Sequence, residues 1–216
     1  MNFTGFPERA LVFYEGLEVD NSKTYWTDHR AIYDECVKAP MEALLAELGA
    51  EFGEAKFFRP YRDVRFAKDK TPYKTHAGAV VHGAGGGGLY VQLSATGLLL
   101  GGGAWHLESD QVRRMRSAVA DDHLGPALEG LLGVLRKSGW TISGNPVKTR
   151  PHGYDKDHPR LELLRFRALS AHRDFGDQSW LATRDALQRI RQGWRRLATL
   201  NDWIATHLGT AAERAR

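Results

Sequence analysis

Residues 75–107 read THAGAVVHGAGGGGLYVQLSATGLLLGGGAWHL, and this stretch decides the predicted fold. Residues 75–81 and 89–93 are predicted strands joined by a glycine-rich hairpin loop, which lacks the Gly-Lys-Ser/Thr and the following helix of a phosphate-binding P-loop. A third strand covers residues 98–100 and 104–107, interrupted by three glycines of the kind that mark a bulge or a close approach of backbone. The stretch therefore predicts an antiparallel meander.

Upstream of the meander, the sequence predicts helices. Pro7 suits the first position of a short helix that continues through residues 10–17. Apolar residues then recur every three to four positions across residues 25–48, which is typical of one helical stripe. Asn21 or Ser22 is the predicted N-cap. The sequence leaves open whether Pro40, inside the stripe, kinks this helix or begins a second one.

Downstream of the meander, helices and short strands alternate. The predicted elements are helices at 112–119, capped by Ser109 or Asp110, at 124–135 and at 161–164, strands at 140–142, 147–149 and 167–175, and a last helix capped by Asp177. Because no repeat or linker appears, we predict one α+β domain over residues 1–216. In it, a curved antiparallel sheet packs against N-terminal and C-terminal helices.

The composition is that of a globular protein, with 42% apolar and 26% charged residues. Residues 1–108 carry 11 basic and 14 acidic side chains, whereas residues 109–216 carry 19 and 12, so the formal charges are −3 and +7. The single cysteine, Cys36, excludes an internal disulfide and is predicted to be a core residue. No signal peptide or membrane span is recognised. We expect a cytoplasmic protein without a membrane partner.

The densest charge precedes the meander, in residues 59–75, RPYRDVRFAKDKTPYKT. If this stretch is a strand, alternation places one set of side chains on a common face: Arg59, Tyr61, Asp63 and Arg65. Asp63 would be kept ionised by its arginine neighbours and would orient them rather than act as an acid. Arg62 falls on the opposite face, among apolar side chains, and is the arginine most expected to be structural.

A turn at residues 69–72 would bring further cations and a tyrosine hydroxyl back to this face. Arginine matches phosphate or carboxylate two hydrogen bonds at a time. We therefore predict a pocket for a small anionic ligand, on which the protein could act as an enzyme. Its predicted residues are Arg59, Arg62, Arg65, Lys70 and Tyr73, with Asp63 and Lys74 beside them. The alternative is a non-catalytic binding or scaffold protein in which these charges form a structural ion-pair network.

The pattern R-x-x-R-D-x-R-F-x-x-D-K-x-x-Y over residues 59–73 resembles the signature of a bacterial family, domain of unknown function 2461. Further segments resemble other parts of that family's pattern: Phe3-x-Gly5-Phe6-Pro7, the residues Asn21, Trp26, Arg30 and Tyr33, the run Gly101-Gly-Gly-x-Trp105, and the loop Gly153-Tyr-Asp-x-Asp-His-Pro159. The family has no established activity, so the resemblance implies no catalytic role. It favours a functional charged stretch over an accidental one.

The loop at residues 153–159 holds the candidate acid–base groups. His158 is the first candidate because an imidazole titrates near neutrality, and Asp157 is the second. Asp157 is alternatively explained as the N-cap of a helix over residues 159–164, with Pro159 at the first helical position. A three-histidine metal site is conceivable from His76, His82 and His106, but their spacing does not require one. We predict no metal and no cofactor.

Nucleic-acid binding is a third and less favoured prediction. The charge of +7 over residues 109–216, Arg113, Arg114 and Arg116, and the basic face of the last helix would suit contacts to a phosphate backbone. No recognised nucleic-acid-binding motif is present, and residues 1–108 are net negative. The sequence does not determine the oligomeric state.

Overall fold

Within residues 2–212, which the computed structural model describes, a six-stranded antiparallel sheet is accompanied by helices from both ends of the chain. The predicted α+β class is confirmed. The strands are β1 Ala55–Phe57, β2 His76–His82, β3 Gly88–Ser94, β4 Gly97–Ala104, β5 Thr141–Ser143 and β6 Leu169–Gly176, in the order β1-β2-β3-β4-β6-β5. The helices are α1 Glu8–Val19, α2 Lys23–Asp28, α3 Arg30–Ile32, α4 Ala39–Phe52, α5 Ser109–Ala120, α6 Leu124–Lys137, α7 Leu161–Leu164 and α8 Asp185–Leu208.

The predicted meander is confirmed as β2, β3 and β4, which are neighbours in the sheet. β4 runs through its glycines and ends at Ala104, so its predicted continuation to residue 107 was wrong. A Cβ atom at Gly102 would lie 2.8 Å from the Leu197 Cβ, and one at Gly103 would lie 2.4 Å from the Leu169 carbonyl oxygen. These glycines therefore permit a close approach of α8 and β6 to β4.

The helical stripe at residues 25–48 is confirmed and spans α2, α3 and α4. Ser22 is the N-cap, since its hydroxyl accepts a hydrogen bond from the Tyr25 N–H at 3.1 Å. A wider, π-helical turn covers Tyr33–Lys38 and leads into α4, where Pro40 lies in the first turn. Pro40 has no N–H to donate and would crowd the preceding turn, and the π-helical turn accommodates both effects.

Two predicted N-caps and one predicted strand were wrong for local reasons. α5 is capped by Glu108, whose side chain forms a reciprocal capping box with Gln111. Asp177 does not cap α8, because a 3₁₀ turn at Ser179–Ala182 intervenes; there the carbonyl of buried Leu181 accepts a hydrogen bond from the Phe6 N–H at 2.7 Å. Residues 147–149 form no strand, since the Val147 N–H donates to the Arg165 carbonyl beside α7 instead.

The chain divides into two compact units. The first unit comprises residues 2–81, 90–100 and 174–193, and the second comprises residues 82–89, 101–173 and 194–212. The boundaries fall within β2, β3, β4, β6 and α8, so these elements contribute residues to both units. The single domain stays a prediction. Over residues 2–212, no helix combines the length and the apolarity that crossing a membrane requires.

Gly97, the first residue of β4, provides a test of this packing. Its φ is +110°, and an added Cβ would lie 2.1 Å from the Gly176 backbone. We expect Gly97→Ala to lower the free energy of unfolding by roughly 3 kcal/mol, because backbone must move. Exposed Gly130 on α6 has nothing within 4 Å of an added Cβ, so Gly130→Ala should stabilise by about 0.5–1 kcal/mol. Denaturant titration measures both, and equal effects would contradict the packing argument.

Candidate functional site

The charged stretch at residues 59–75 is a loop, so its predicted strand and the face derived from it were wrong. One antiparallel bridge joins Tyr61 to Tyr73, and the flanking backbone hydrogen bonds end on the carbonyls of Pro60 and Pro72 at 2.8 and 2.9 Å. The reciprocal bonds cannot form, because neither proline has an N–H. The ladder stops at one bridge, and the side chains on either side of it leave the regular alternation.

Tyr73 anchors this loop to the helices of the first unit. The Asn21 side chain accepts a hydrogen bond from the Tyr73 N–H at 3.0 Å and donates one to its carbonyl at 3.1 Å. The Tyr73 ring stacks on Trp26 with 4.4 Å between ring centroids and 9° between planes. Both rings are buried, so Tyr73, predicted as a ligand contact, holds the loop in place.

An aromatic cluster extends from this anchor. The Arg30 guanidinium lies 5.6 Å from the Trp26 ring centroid and 5.9 Å from that of Tyr33, within the range of cation–π attraction. Tyr61 packs 5.5 Å from Tyr73 and remains 45% exposed. Burial raises the pKa of the Tyr33 hydroxyl to about 12, so it stays protonated at neutral pH. The cluster thus forms a rigid base for the loop.

Two ion pairs bind much of the loop's charge. The Arg65 guanidinium donates to both carboxylate oxygens of Asp63, at 2.9 and 2.7 Å. These bonds lower the pKa of Asp63, which agrees with the expectation that this carboxylate stays ionised. Arg62 pairs with Asp69 and donates to the Thr71 hydroxyl at 2.6 Å. Both pairs favour the structural-network alternative.

The predicted turn at residues 69–72 is confirmed by an Asp69 side-chain oxygen, which accepts a hydrogen bond from the Thr71 N–H at 2.9 Å. This bond, and then Arg62, lower the pKa of Asp69 to about 2. Lys70 closes the loop tip by donating to the Val64 carbonyl at 2.9 Å. Lys70 is therefore engaged in the loop itself.

A cleft of about 480 Å³ opens beside the loop. Its walls are formed by Arg62, Asp63, Lys74, Thr75 and His76. Burial, and then the Arg59 charge, lower the pKa of Lys74. Burial, followed by Lys74 and Arg62, lowers the pKa of His76. The cleft is electropositive, and its basic groups are within electrostatic reach of one another.

The cleft contains part of the predicted set. Arg62, Asp63 and Lys74 line it, whereas Arg59, Arg65, Lys70 and Tyr73 are outside the lining. Sequence reasoning missed Thr75 and considered His76 only as a metal ligand. The position of His76 in the sequence could have indicated its role, because His76 begins β2 directly after the loop and lies two residues from Lys74. A strand that starts at the loop must carry its first side chain near the loop's cations.

The loop at residues 150–160 belongs to the second unit. The His158 Nδ1 accepts a hydrogen bond from the Arg160 N–H at 3.0 Å, and the Tyr154 ring packs edge-on to His158. Asp157 is exposed, with its N–H donating to Asp155 at 3.2 Å. Arg160, not Asp157, precedes α7, so the predicted N-cap was wrong. The catalytic roles of His158 and Asp157 stay predictions.

Among residues 2–212, no three acidic, histidine or cysteine side chains are grouped so that they could hold a metal ion.

A family model described as a conserved hypothetical protein (DUF2461) matches residues 9–203 of the 216-residue chain. The chain belongs to this family. The match includes the helices that anchor the charged loop, the loop itself and most of the second unit. No curated protein matches the chain. Because the family description names no activity, the function has to be argued from the site.

The Asn21 anchor generates a stability prediction. Asn21→Ala leaves the Tyr73 N–H and carbonyl without their partner, and we expect the free energy of unfolding to fall by about 2 kcal/mol. Asn2→Ala is the matched control, because Asn2 is exposed and its side chain makes no hydrogen bond within the described chain. Hydrogen exchange at the Tyr73 amide should accelerate in Asn21→Ala alone. An unchanged amide would show that the loop is held by other contacts.

Proposed function

We propose that this DUF2461 protein binds a small anion, through a phosphate or carboxylate group, in the cleft beside the charged loop. The observation that carries the proposal is the convergence of Arg62, Lys74 and His76 on one cleft, where the pKa values of Lys74 and His76 are lowered partly by neighbouring positive charge. An anion placed there would relieve this repulsion and favour the protonated forms of both groups.

Arg62 is suited to receive the anion. Its Nη1 atom donates hydrogen bonds to Asp69 and Thr71, while Nε and Nη2 have no hydrogen-bond partner among residues 2–212. Asp69 orients the guanidinium, and the two remaining nitrogens match the oxygen spacing of a phosphate or carboxylate. Asp63 is the acidic group in the lining, and it is already paired with Arg65. The net charge that faces the cleft is positive.

A scaffold role is the second candidate. The Arg65–Asp63 and Arg62–Asp69 pairs, the Lys70 bond to the Val64 carbonyl and the buried Tyr73 all stabilise the loop without a ligand. If the loop serves only this purpose, removing Lys74 or Arg62 changes stability and no anion stabilises the wild type. The two candidates therefore predict different responses to an anion.

The binding proposal predicts that inorganic phosphate raises the melting temperature of the wild type in proportion to RT ln(1 + [L]/Kd). Arg62→Gln and Lys74→Gln should each weaken binding about tenfold, because each removes a charged donor. Lys68→Gln is the matched control: this side chain belongs to the same loop, is exposed and lies outside the lining, so the phosphate shift should persist. No shift in the wild type, or an equal loss in all three variants, contradicts the proposal.

His76 gives a pH-dependent test. Its folded-state pKa lies below its ordinary value of 6.5, so its contribution to stability is present above pH 6.5 and is lost as pH falls through the folded pKa. We expect nuclear magnetic resonance titration, with the signal assigned by its loss in His76→Gln, to show this low pKa. Saturating phosphate and, separately, Lys74→Gln should raise it. If the pKa of His76 does not change when phosphate is added, an anion does not bind in this cleft.

The proposal also includes the source and the cellular location of the protein. We infer a bacterial and cytoplasmic protein, in line with the sequence resemblance and with a single cysteine, Cys36, which is buried and unbridged. Catalytic roles for His158 and Asp157, which lie in the second unit, remain part of the proposal. Nucleic-acid binding through the basic second half of the sequence remains the third candidate.

A further inference from the structure

The second unit contains another cleft, of about 670 Å³, between α5 and the loop around Asn145. Three arginines line it: Arg113 and Arg116 from α5, one helical turn apart, and Arg167 from the segment before β6. Trp105, just past the end of β4, lines the same cleft and is 46% exposed. This size accommodates a drug-sized or nucleotide-sized molecule.

The three arginines lack acidic partners. Within residues 2–212, no carboxylate lies within ion-pair distance of Arg113, Arg116 or Arg167. Other arginines of this unit are paired, as Arg114 is with Asp110 at 3.0 Å and Arg165 with Glu162 at 3.1 Å. Three unpaired guanidinium groups at one cleft repel one another and favour an anionic ligand.

Two of these guanidinium groups are held in position. The Arg116 Nε donates to the Leu164 carbonyl at 2.8 Å, which leaves its Nη atoms for a ligand. Arg167 donates to the Asn145 carbonyl at 3.4 Å and to its side-chain oxygen at 3.3 Å. Asn145 has a φ of +47°, the only positive φ of a non-glycine residue over residues 2–212. Gly144, whose carbonyl accepts from the Arg167 and Ala168 N–H groups, fixes this loop.

The cleft is amphipathic. Val112 and Val147 contribute apolar surface to the lining, and the Trp105 indole adds a flat aromatic face. The acidic residues beside the lining in the sequence are engaged elsewhere, Glu108 in the α5 capping box and with His106 at 3.4 Å, and Asp110 with Arg114 at 3.0 Å. A ligand that uses the whole cleft would combine a planar ring with a negatively charged group.

We infer that this cleft binds a nucleoside phosphate. The base would stack on Trp105 against the valines, and the phosphate would be bound by Arg113, Arg116 and Arg167. The cleft, of about 670 Å³, is large enough for a mononucleotide. The site is separate from the anion cleft of the first unit, since it uses different residues, and the inference goes beyond the proposed function.

Isothermal titration calorimetry of the full chain tests this inference. The probes are the adenosine, guanosine, cytidine and uridine monophosphates, with adenosine and inorganic phosphate as fragments. We expect at least one monophosphate to bind at least tenfold more tightly than either fragment, because it occupies both halves of the cleft. Arg113→Gln and Arg167→Gln should each weaken that binding about tenfold, and Trp105→Ala should reduce it to the level of phosphate.

Arg136→Gln is the control, because this arginine is exposed on α6 and lies outside the lining; it should leave nucleotide affinity within twofold. Arg62→Gln should also leave it unchanged, so failure of this site and failure of the anion cleft are distinguishable. The inference is overturned if no monophosphate binds at millimolar concentration, or if Arg136→Gln weakens binding as much as Arg113→Gln. It is equally overturned if an oligonucleotide binds with length-dependent affinity while mononucleotides do not, since the partner is then nucleic acid.

Discussion

The two hydrogen bonds between the Asn21 side chain and the Tyr73 backbone, together with the stacking of Trp26 on Tyr73, determine where the charged loop lies. The loop has one bridge of regular pairing, so β-structure does not position it. The position of the loop comes from a buried ring and a part-buried polar contact, both of which are costly to disrupt. Lys74 follows Tyr73 directly in the chain, and His76 comes two residues later. The anchor at Tyr73 therefore also positions these two basic residues of the cleft.

The loop distributes its charges between two tasks. Some of the charges interact within the loop: Arg65 pairs with Asp63, and Lys70 donates to the Val64 carbonyl. Arg62 and Lys74, with His76, face the cleft. Exposed ion pairs contribute little to stability, about 0–1 kcal/mol each, so the first group shapes the loop more than it stabilises the protein. A dense charged motif can thus be part scaffold and part binding site, and Arg62 belongs to both.

Much of the secondary structure could be predicted because it depends on local patterns. The meander of β2, β3 and β4, the α7 helix and the Ser22 cap follow from apolar periodicity, glycines and capping chemistry. The site was predicted less well. The alternation along residues 58–66 predicted a strand. Pro60 and Pro72, however, lack the N–H groups that a β-ladder needs on its two sides. That the two prolines flank the same bridge becomes visible only in the folded loop.

The sequence by itself determined the α+β class, the family resemblance and the segment in which cations concentrate, because these depend on residue types and short-range spacing. Only the tertiary structure decided which cations line a cleft, because that depends on contacts between residues that are distant in the sequence. Arg62 and Lys74 line the cleft of the first unit, although Arg62 is paired with Asp69 and Lys74 donates to the Arg59 carbonyl at 3.0 Å, whereas Arg65 and Lys70 lie outside it. Folding also brought Arg113 and Arg167, 54 positions apart in the sequence, to one cleft with Trp105.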